Sequence, residues 1–135
     1  SSRDIVNRDS IGDLTLTPKE YNKMDKDVKQ QWLTALRSGE YHQCTGELRN
    51  SSGEHCCLGV LLESQGWEAS LTNHHPDVCY YYSPEGFANG EENELTVHTR
   101  SEFGLTRPQE VHLMKLNDDK GWSFKLISKW IEDHL

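Results

Sequence analysis

The stretch His55-Cys56-Cys57-Leu58-Gly59-Val60-Leu61-Leu62 places two adjacent cysteines at the head of a strongly apolar run. The rest of the chain is mostly polar, because only 34% of its 135 residues are hydrophobic. A short apolar run that closes at a glycine, here Gly66, is more typical of a buried helix than of a strand. We therefore expect residues 56–65 to form a helix at the centre of the core.

The two adjacent cysteines favour a structural role over a reactive one. Cys56 and Cys57 point to different faces of a helix or a strand, and they cannot easily form a disulfide with each other across one peptide bond. A thiol nucleophile would need a lowered pKa and a base, but His55 beside Cys56 in sequence does not lie over its sulfur on a helix. Unpaired cysteines are commonly buried as small apolar side chains. We interpret both as core residues of a reduced, intracellular protein.

Helical spacing and end signals predict three further helices. Each predicted start has a residue type that caps helices, namely Asp25, Thr106 or Ser123, and Gln109 completes a capping box with Thr106. The predicted spans are residues 25–38, 107–116 and 123–134. Their apolar positions, with those of the 56–65 helix, predict a core made of Trp32, Leu36, Leu58, Val60, Leu61, Leu62, Met114, Phe124, Ile127 and Ile131.

The remaining segments predict a small β element. Residues 78–82 are rich in aromatic side chains, and residues 95–99 alternate like a second strand, so we expect these two to pair across a long loop. Residues 41–54 suggest a short extended piece that ends in a turn. The fold class is thus α+β, a single compact domain, mainly helical with about four helices and a small antiparallel β element. We expect a flexible N-terminal arm over residues 1–16, a capped helical turn after it, and one globular domain over residues 17–135 with a variable insertion at 67–100.

Charge and hydropathy argue against two classes of partner. The formal net charge is −8, from 22 acidic and 14 basic residues, which opposes binding to phosphate backbones and makes a nucleic-acid partner a poor interpretation. No apolar run approaches the roughly 20 residues that span a bilayer, and no leader-like segment opens the chain, so we expect no membrane association. Phosphate-binding glycine loops, dinucleotide fingerprints and serine-elbow motifs are also absent, which favours a protein that is not an enzyme without deciding the question.

A zinc site is the sharpest chemical alternative. Its candidate ligands come from a wider set of histidines and cysteines, because thiolate and imidazole are the ligands that zinc prefers. The four we select are Cys44, His55, Cys56 and Cys79. The chain has no C-x2-C pair that would bring two thiolates together from one turn, so the spacing argues against zinc and we expect no cofactor.

The polar segment Asn117-Asp118-Asp119-Lys120-Gly121 predicts a turn between two helices. It resembles a calcium loop only superficially, because the later ligand positions carry unsuitable residues. Asn117 and Asp118 instead suit a structural role, in which they hold the region of Arg37 or Tyr41 in place.

The assembled motifs resemble a group of small uncharacterised proteins of bacteriophages and prophages. The resemblance is carried by Trp32-Leu33-Thr34-Ala35-Leu36-Arg37-Ser38-Gly39-Glu40-Tyr41, Gly46-Glu47-Leu48-Arg49, Cys56-Cys57-Leu58-Gly59-Val60-Leu61, Leu116-Asn117-Asp118 and the segment from Ser123-Phe124 to Trp130-Ile131-Glu132. It covers about half of the chain in collinear order and includes Trp32, Cys56, Cys57, Asn117 and Asp118 as structural positions. Residues 1–16, residues 67–100, Cys44 and His55 stand outside it.

The resemblance implies a phage origin and no particular activity. We therefore expect a small acidic accessory protein that acts in the host cytoplasm by binding a host protein, for takeover or counter-defence. The expected contact residues are Tyr80, Tyr81, Tyr82, Glu91, Glu92 and Glu94. Two alternatives stay open: a zinc-binding or small-ligand-binding protein or hydrolase that uses the Cys/His set, and a virion or scaffold component that self-associates.

Overall fold

Side-chain caps define the helix starts in the computed structural model of the protein. Asp25 accepts hydrogen bonds from two backbone N–H groups of the first turn, Ser123 accepts one, and Thr106 forms a complete capping box with Gln109. These caps lie where the sequence predicts them. The helices are α1 (Lys26–Arg37), α2 (Cys57–Ser64), α3 (Val97–Phe103), α4 (Arg107–Asp118) and α5 (Phe124–His134).

The structure describes residues 24–71 and 78–135, with Leu71 described through its backbone only. The predicted arm over residues 1–16 and nearly all of the capped turn that follows it lie outside the described residues. Within those residues, no helix is long and apolar enough to cross a membrane.

Three short strands form an antiparallel sheet in the order β1-β2-β3. They are β1 (Glu68–Leu71), β2 (Cys79–Tyr82) and β3 (Ala88–Asn89). Directly opposed residues share a face, so Tyr81 lies on the same side as its partners Ala69 and Asn89. Tyr82 lies on the other side, with Glu68 and Ala88.

The predicted pairing of residues 95–99 with β2 is wrong, because this segment begins helix α3. Thr96 is extended and caps the helix by accepting from the Thr99 N–H group, while Gly104 ends it with a φ of 75°. These local signals outweigh the β-branched residues that suggest a strand. The structure thus has five described helices instead of about four, and β2 pairs with β1 and β3.

Helix α2 forms the centre of the α+β fold, as the sequence predicts. Its first six residues are buried, and α1 and α4 pack against it. The indole Nε1 of Trp32 donates to the buried carbonyl of Cys57 (2.9 Å), which joins α1 to the start of α2. Nine of the ten predicted core residues are buried, and the tenth, Met114, is half-buried against them.

Gly59 lets α2 lie directly on a neighbouring backbone. A Cβ atom at this position would overlap the carbonyl oxygen of Leu48. That carbonyl is fixed, because it accepts the Cys56 N–H (3.2 Å) while the Leu48 N–H donates to the carbonyl of Glu92 (2.9 Å). A glycine is therefore required at the point of closest approach.

Candidate functional site

Burial governs the chemistry of the cysteine pair. Cys56 and Cys57 are both in the core, and all four cysteines are free thiols. Loss of solvation raises the pKa of Cys56 to about 12 and raises that of Cys57 well above its ordinary value. Both thiols stay protonated near neutral pH. They therefore lack the thiolate form that nucleophilic chemistry requires.

The four predicted zinc ligands do not converge. The Cys44 thiol donates to the carbonyl of Glu54 (3.4 Å), while Cys79 lies on β2 with its sulfur 3.5 Å from Nη1 of Arg49. Among residues 24–71 and 78–135, which contain all four candidates, no group of three or more His, Cys, Asp or Glu side chains is placed to hold a metal ion. The ligand set of the zinc alternative, Cys44, His55, Cys56 and Cys79, thus faces different neighbours in this structure.

Asn117 connects three segments of the chain. It lies in the last turn of α4, slightly beyond the predicted helix end, and is 1% exposed. Its Oδ1 accepts from Gln43 Nε2 (2.8 Å) and from the Cys57 N–H (3.2 Å). Its Nδ2 donates to the carbonyl of Cys44 and to Oδ1 of Asp118 (2.8 and 2.7 Å). Asn117 thus fastens the segment after Tyr41, whereas Arg37 pairs elsewhere, with Glu132.

A second polar cluster links α2 to the sheet. Oε2 of Glu63 accepts from the Tyr81 hydroxyl (2.8 Å) and faces Nε2 of His55 (3.4 Å). Because an ionised carboxylate only accepts, the His55 ring meets Glu63 as a donor through Nε2. The other ring nitrogen, Nδ1, is buried and has no hydrogen-bond partner in the described part of the chain. His55 therefore has one ring nitrogen in the core that is not hydrogen-bonded to any described residue.

Electrostatics set the protonation of this cluster. Burial by itself raises the pKa of Glu63, but hydrogen bonds from His55 and Tyr81 and the nearby Arg49 charge outweigh it, so the pKa is lower than usual. The pKa of Tyr81 is raised, first by burial and then by the Glu63 charge. Glu63 is thus a carboxylate acceptor and Tyr81 a phenol donor.

A cleft of about 390 Å³ opens beside the cluster. Its polar lining has both signs of charge, from Arg49 on one side and from Glu63 and Glu68 on the other. Trp67 and Ala69 supply its apolar lining. This composition suits a small polar ligand more than an apolar one.

The tyrosine triplet divides between the two faces of the sheet. Tyr81 is fully buried, which corrects the expectation that it is a surface contact, because its face of β2 packs on the core and its hydroxyl is held by Glu63. Tyr80 is half-buried, and Tyr82 is 40% exposed. Only Tyr80 and Tyr82 therefore stay available among the predicted tyrosine contacts.

The predicted acidic contacts lie in a loop that is held from within. Asn89 is fully buried, and its Nδ2 donates to the carbonyls of Glu91 and Glu94 (2.8 and 2.9 Å). The Glu91 side chain is exposed, whereas Glu94 pairs with Arg107 (3.1 Å). Glu92 is half-buried, and its carbonyl accepts the Leu48 N–H. Glu91 is therefore the acidic residue of this loop that is accessible to a partner, whereas Glu92 and Glu94 contact other parts of the described chain.

Three of the four exposed large hydrophobic residues in the described part of the chain lie at the hairpin and the helix beside it. We call Tyr82, Phe87 and Val97 the hairpin surface; their exposed fractions are 40%, 59% and 69%. The ring of Phe87 contacts His98, the neighbour of Val97, at a centroid distance of 5.5 Å. Sequence reasoning missed Phe87 and Val97, because the false strand at 95–99 placed Val97 in a sheet.

Glu110 is a second residue that the sequence analysis missed. It is fully buried, and its carboxylate accepts from the Leu95 N–H, from Arg100 (3.0 Å) and from Arg107 (2.9 Å). A signal was present, because Glu110 precedes the core residue Leu113 by three positions and so shares the buried face of α4. The cluster joins α3 to α4.

The comparisons with known proteins give a family without an activity. A family model described as a domain of unknown function, DUF8296, matches residues 24–135. The chain belongs to this family. The DUF8296 match runs continuously through residues 67–100, which the motif resemblance had set aside as an insertion. Neither the curated proteins nor the solved structures contain a match to the chain. The phage origin implied by the motif resemblance stays a prediction.

Proposed function

We propose that this DUF8296 protein is a phage or prophage accessory protein that binds a host protein in the host cytoplasm. The observation that carries the proposal is the exposure of the Phe87 and Val97 side chains on two adjoining elements, with the Phe87 ring against His98 of α3. Exposed apolar side chains that cluster are typical of protein contact sites, while single ones are ordinary. The motif resemblance supports the origin, and the inert thiols favour binding over cysteine catalysis.

The charge around the hairpin surface supports a protein partner with a basic face. Glu85 lies in the turn before Phe87, and Glu91 follows β3; both are exposed and make no ion pair with the described residues. Aromatic residues surrounded by free carboxylates complement a patch that carries Lys or Arg. The net charge of −8 would speed the approach of such a partner.

Affinity capture with paired variants tests the proposal. We expect a host protein to be enriched from lysate by the wild-type chain and lost with a Phe87→Ser, Val97→Ser double variant. Leu126→Ser is the matched control, because Leu126 is 54% exposed on α5, away from the hairpin surface. Circular dichroism of all three proteins checks that they fold. Equal capture by the double variant and the control would contradict the proposal.

A small-ligand protein is the second candidate, and the cleft beside Glu63 favours it. Arg49 offers a cation to a carboxylate ligand, and Glu63 an acceptor to a donor group. We expect citrate, used as a probe, to raise the melting temperature of the wild type and not of Arg49→Gln. Lys125→Gln removes an exposed charge on α5 and serves as control. An unchanged melting temperature in the wild type would remove this candidate.

The third candidate function is self-association as a virion or scaffold component. The hairpin surface would then bind a second copy, and light scattering at high concentration would show an oligomer. A monomer that still captures a host protein favours the first proposal.

A further inference from the structure

A separate cleft of about 320 Å³ lies against Tyr82. Gly66, Glu68, Ser83 and Pro84 complete its lining. Glu68 and Tyr82 are directly opposed on β1 and β2, so their side chains leave the same face of the sheet as neighbours. Gly66 has a φ of +80° and no side chain, so it contributes only backbone to the lining.

In the part of the chain that the structure describes, Glu68 supplies the only charged group that lines this cleft. Among the described residues it makes no hydrogen bond or ion pair, and its side chain is exposed. Arg49 shares the neighbouring cleft with Glu68 but is not within ion-pair distance of it. The cleft is therefore short of positive charge in a protein of net charge −8.

The other walls select the kind of cation. The Tyr82 ring is flat and the Pro84 ring is apolar, which suits an aliphatic stem, and an aromatic face attracts a cation placed over it. A guanidinium is planar, stacks on aromatic rings and pairs with a carboxylate through two parallel hydrogen bonds, which an ammonium cannot do.

The geometry points to a binding cleft for an arginine side chain of the partner protein. Its stem lies between Tyr82 and Pro84, and its guanidinium stacks on Tyr82 and pairs with Glu68. This deepens the proposed function and rests on it, because Tyr82 belongs to the hairpin surface.

Nitrogen-15 NMR of the whole chain with N-acetyl-L-arginine amide as the probe tests the cleft. We expect saturable shifts at the Glu68 and Tyr82 amides with a dissociation constant on the order of 10 mM, as for one stacked ion pair. N-acetyl-L-citrulline amide, which has the same shape without the charge, should bind at least about tenfold more weakly.

Two variants separate the cleft from general surface charge. Glu68→Gln should weaken arginine binding about tenfold, whereas Glu85→Gln removes the same charge from the adjacent turn and should leave it nearly unchanged. Absence of shifts at the cleft, equal binding of citrulline, or equal effects of the two variants would each overturn the inference. Capture that depends on Phe87 and Val97 without arginine binding would remove the cleft and keep the proposed function. Arginine binding without any captured partner would support the cleft and contradict the proposed function.

Discussion

Solvent exclusion, more than sequence neighbourhood, determines what the polar and reactive side chains of this protein do. Cys44 is only half-buried, yet burial and the nearby Glu47 raise its pKa to about 11. His55, which precedes Cys56 in the chain, faces Glu63 and not a sulfur atom. Cys44 is thus a protonated thiol, and His55 is a partner of Glu63 and not of the neighbouring Cys56. Neither role is evident from the positions of these residues in the sequence.

The thiols should react slowly in the native protein. At pH 8 only about 0.1% of a thiol with a pKa near 11 is ionised, so we expect Cys44 to react with Ellman's reagent at least about tenfold more slowly than an unfolded cysteine. Cys56 and Cys57 should react only on unfolding. Absorbance at 412 nm measures the release, and urea-unfolded protein, with all four thiols reacting, is the control. Rapid labelling of Cys44, Cys56 or Cys57 in the folded chain, located by mass spectrometry, would contradict the raised pKa values.

Glu63 should make stability depend on pH. Its pKa is lower in the folded chain, so its stabilisation is fully present above the unfolded value of about 4.3 and is lost as pH falls through the lower folded value. We expect wild type to exceed Glu63→Gln by about 1–2 kcal/mol in unfolding free energy at pH 6, and the difference to shrink towards pH 3. Urea unfolding at several pH values measures it.

Glu91→Gln is the matched control for Glu63, because Glu91 is exposed and makes no ion pair with the described residues. Its difference from wild type should stay small at every pH. A difference for Glu63→Gln that grows on acidification would mean that the carboxylate is disfavoured in the folded chain.

Individual residue roles were only partly predictable. Burial of the cysteine pair and a structural place for Asn117 followed from local composition and turn chemistry. The division of the tyrosine triplet did not, because three identical residues give no sign of which alternate face is buried. Glu110 was readable in principle from its spacing to Leu113, but a charged residue on a buried face contradicts the usual pattern.

At the scale of elements, the contact between α2 and the Leu48 backbone leads to a sharp mutational test. Gly59→Ala gains about 1 kcal/mol in helix propensity, but its methyl group meets the carbonyl of Leu48. Leu48 is hydrogen-bonded through both its carbonyl oxygen and its N–H group, so it cannot easily move away. The steric cost should exceed that gain, and we expect a net loss of about 3 kcal/mol or a failure to fold. Thermal and urea unfolding measure the change.

Gly90→Ala is its control, since a Cβ there would meet nothing within 4 Å and the backbone is not left-handed. Its stability should stay within about 0.5 kcal/mol of wild type. Equal stability of both alanine variants would show that α2 can move away from Leu48.

Helix ends were the most predictable elements, because caps and apolar spacing act within a few residues. Asp25, Thr106 and Ser123 all cap where expected. Helix α3 was missed although Thr96 and Gly104 lie at its ends, since alternating β-branched residues over five positions also fit a strand. The partners of β2 are its sequence neighbours β1 and β3, but strands of four and two residues give too short a pattern to identify.

At the scale of the whole molecule, an acidic α+β fold with a helical core was foreseeable, and the hairpin surface was not. Surface exposure depends on which elements fail to cover one another, and the position of α3 decides that for Phe87 and Val97. The choice of partner is a property of this surface together with the net charge of −8. Neither motif spacing nor composition locates it.

The Asn117 amide also makes this protein suited to hydrogen-exchange measurements. Its bonds to Cys57, Cys44 and Gln43 join positions 60, 73 and 74 residues apart. We expect such bonds, which join segments far apart in the chain, to break only when those segments separate. The Cys57 amide hydrogen should therefore exchange with deuterium only through global unfolding, and its exchange rate in native buffer should report the full stability without any denaturant.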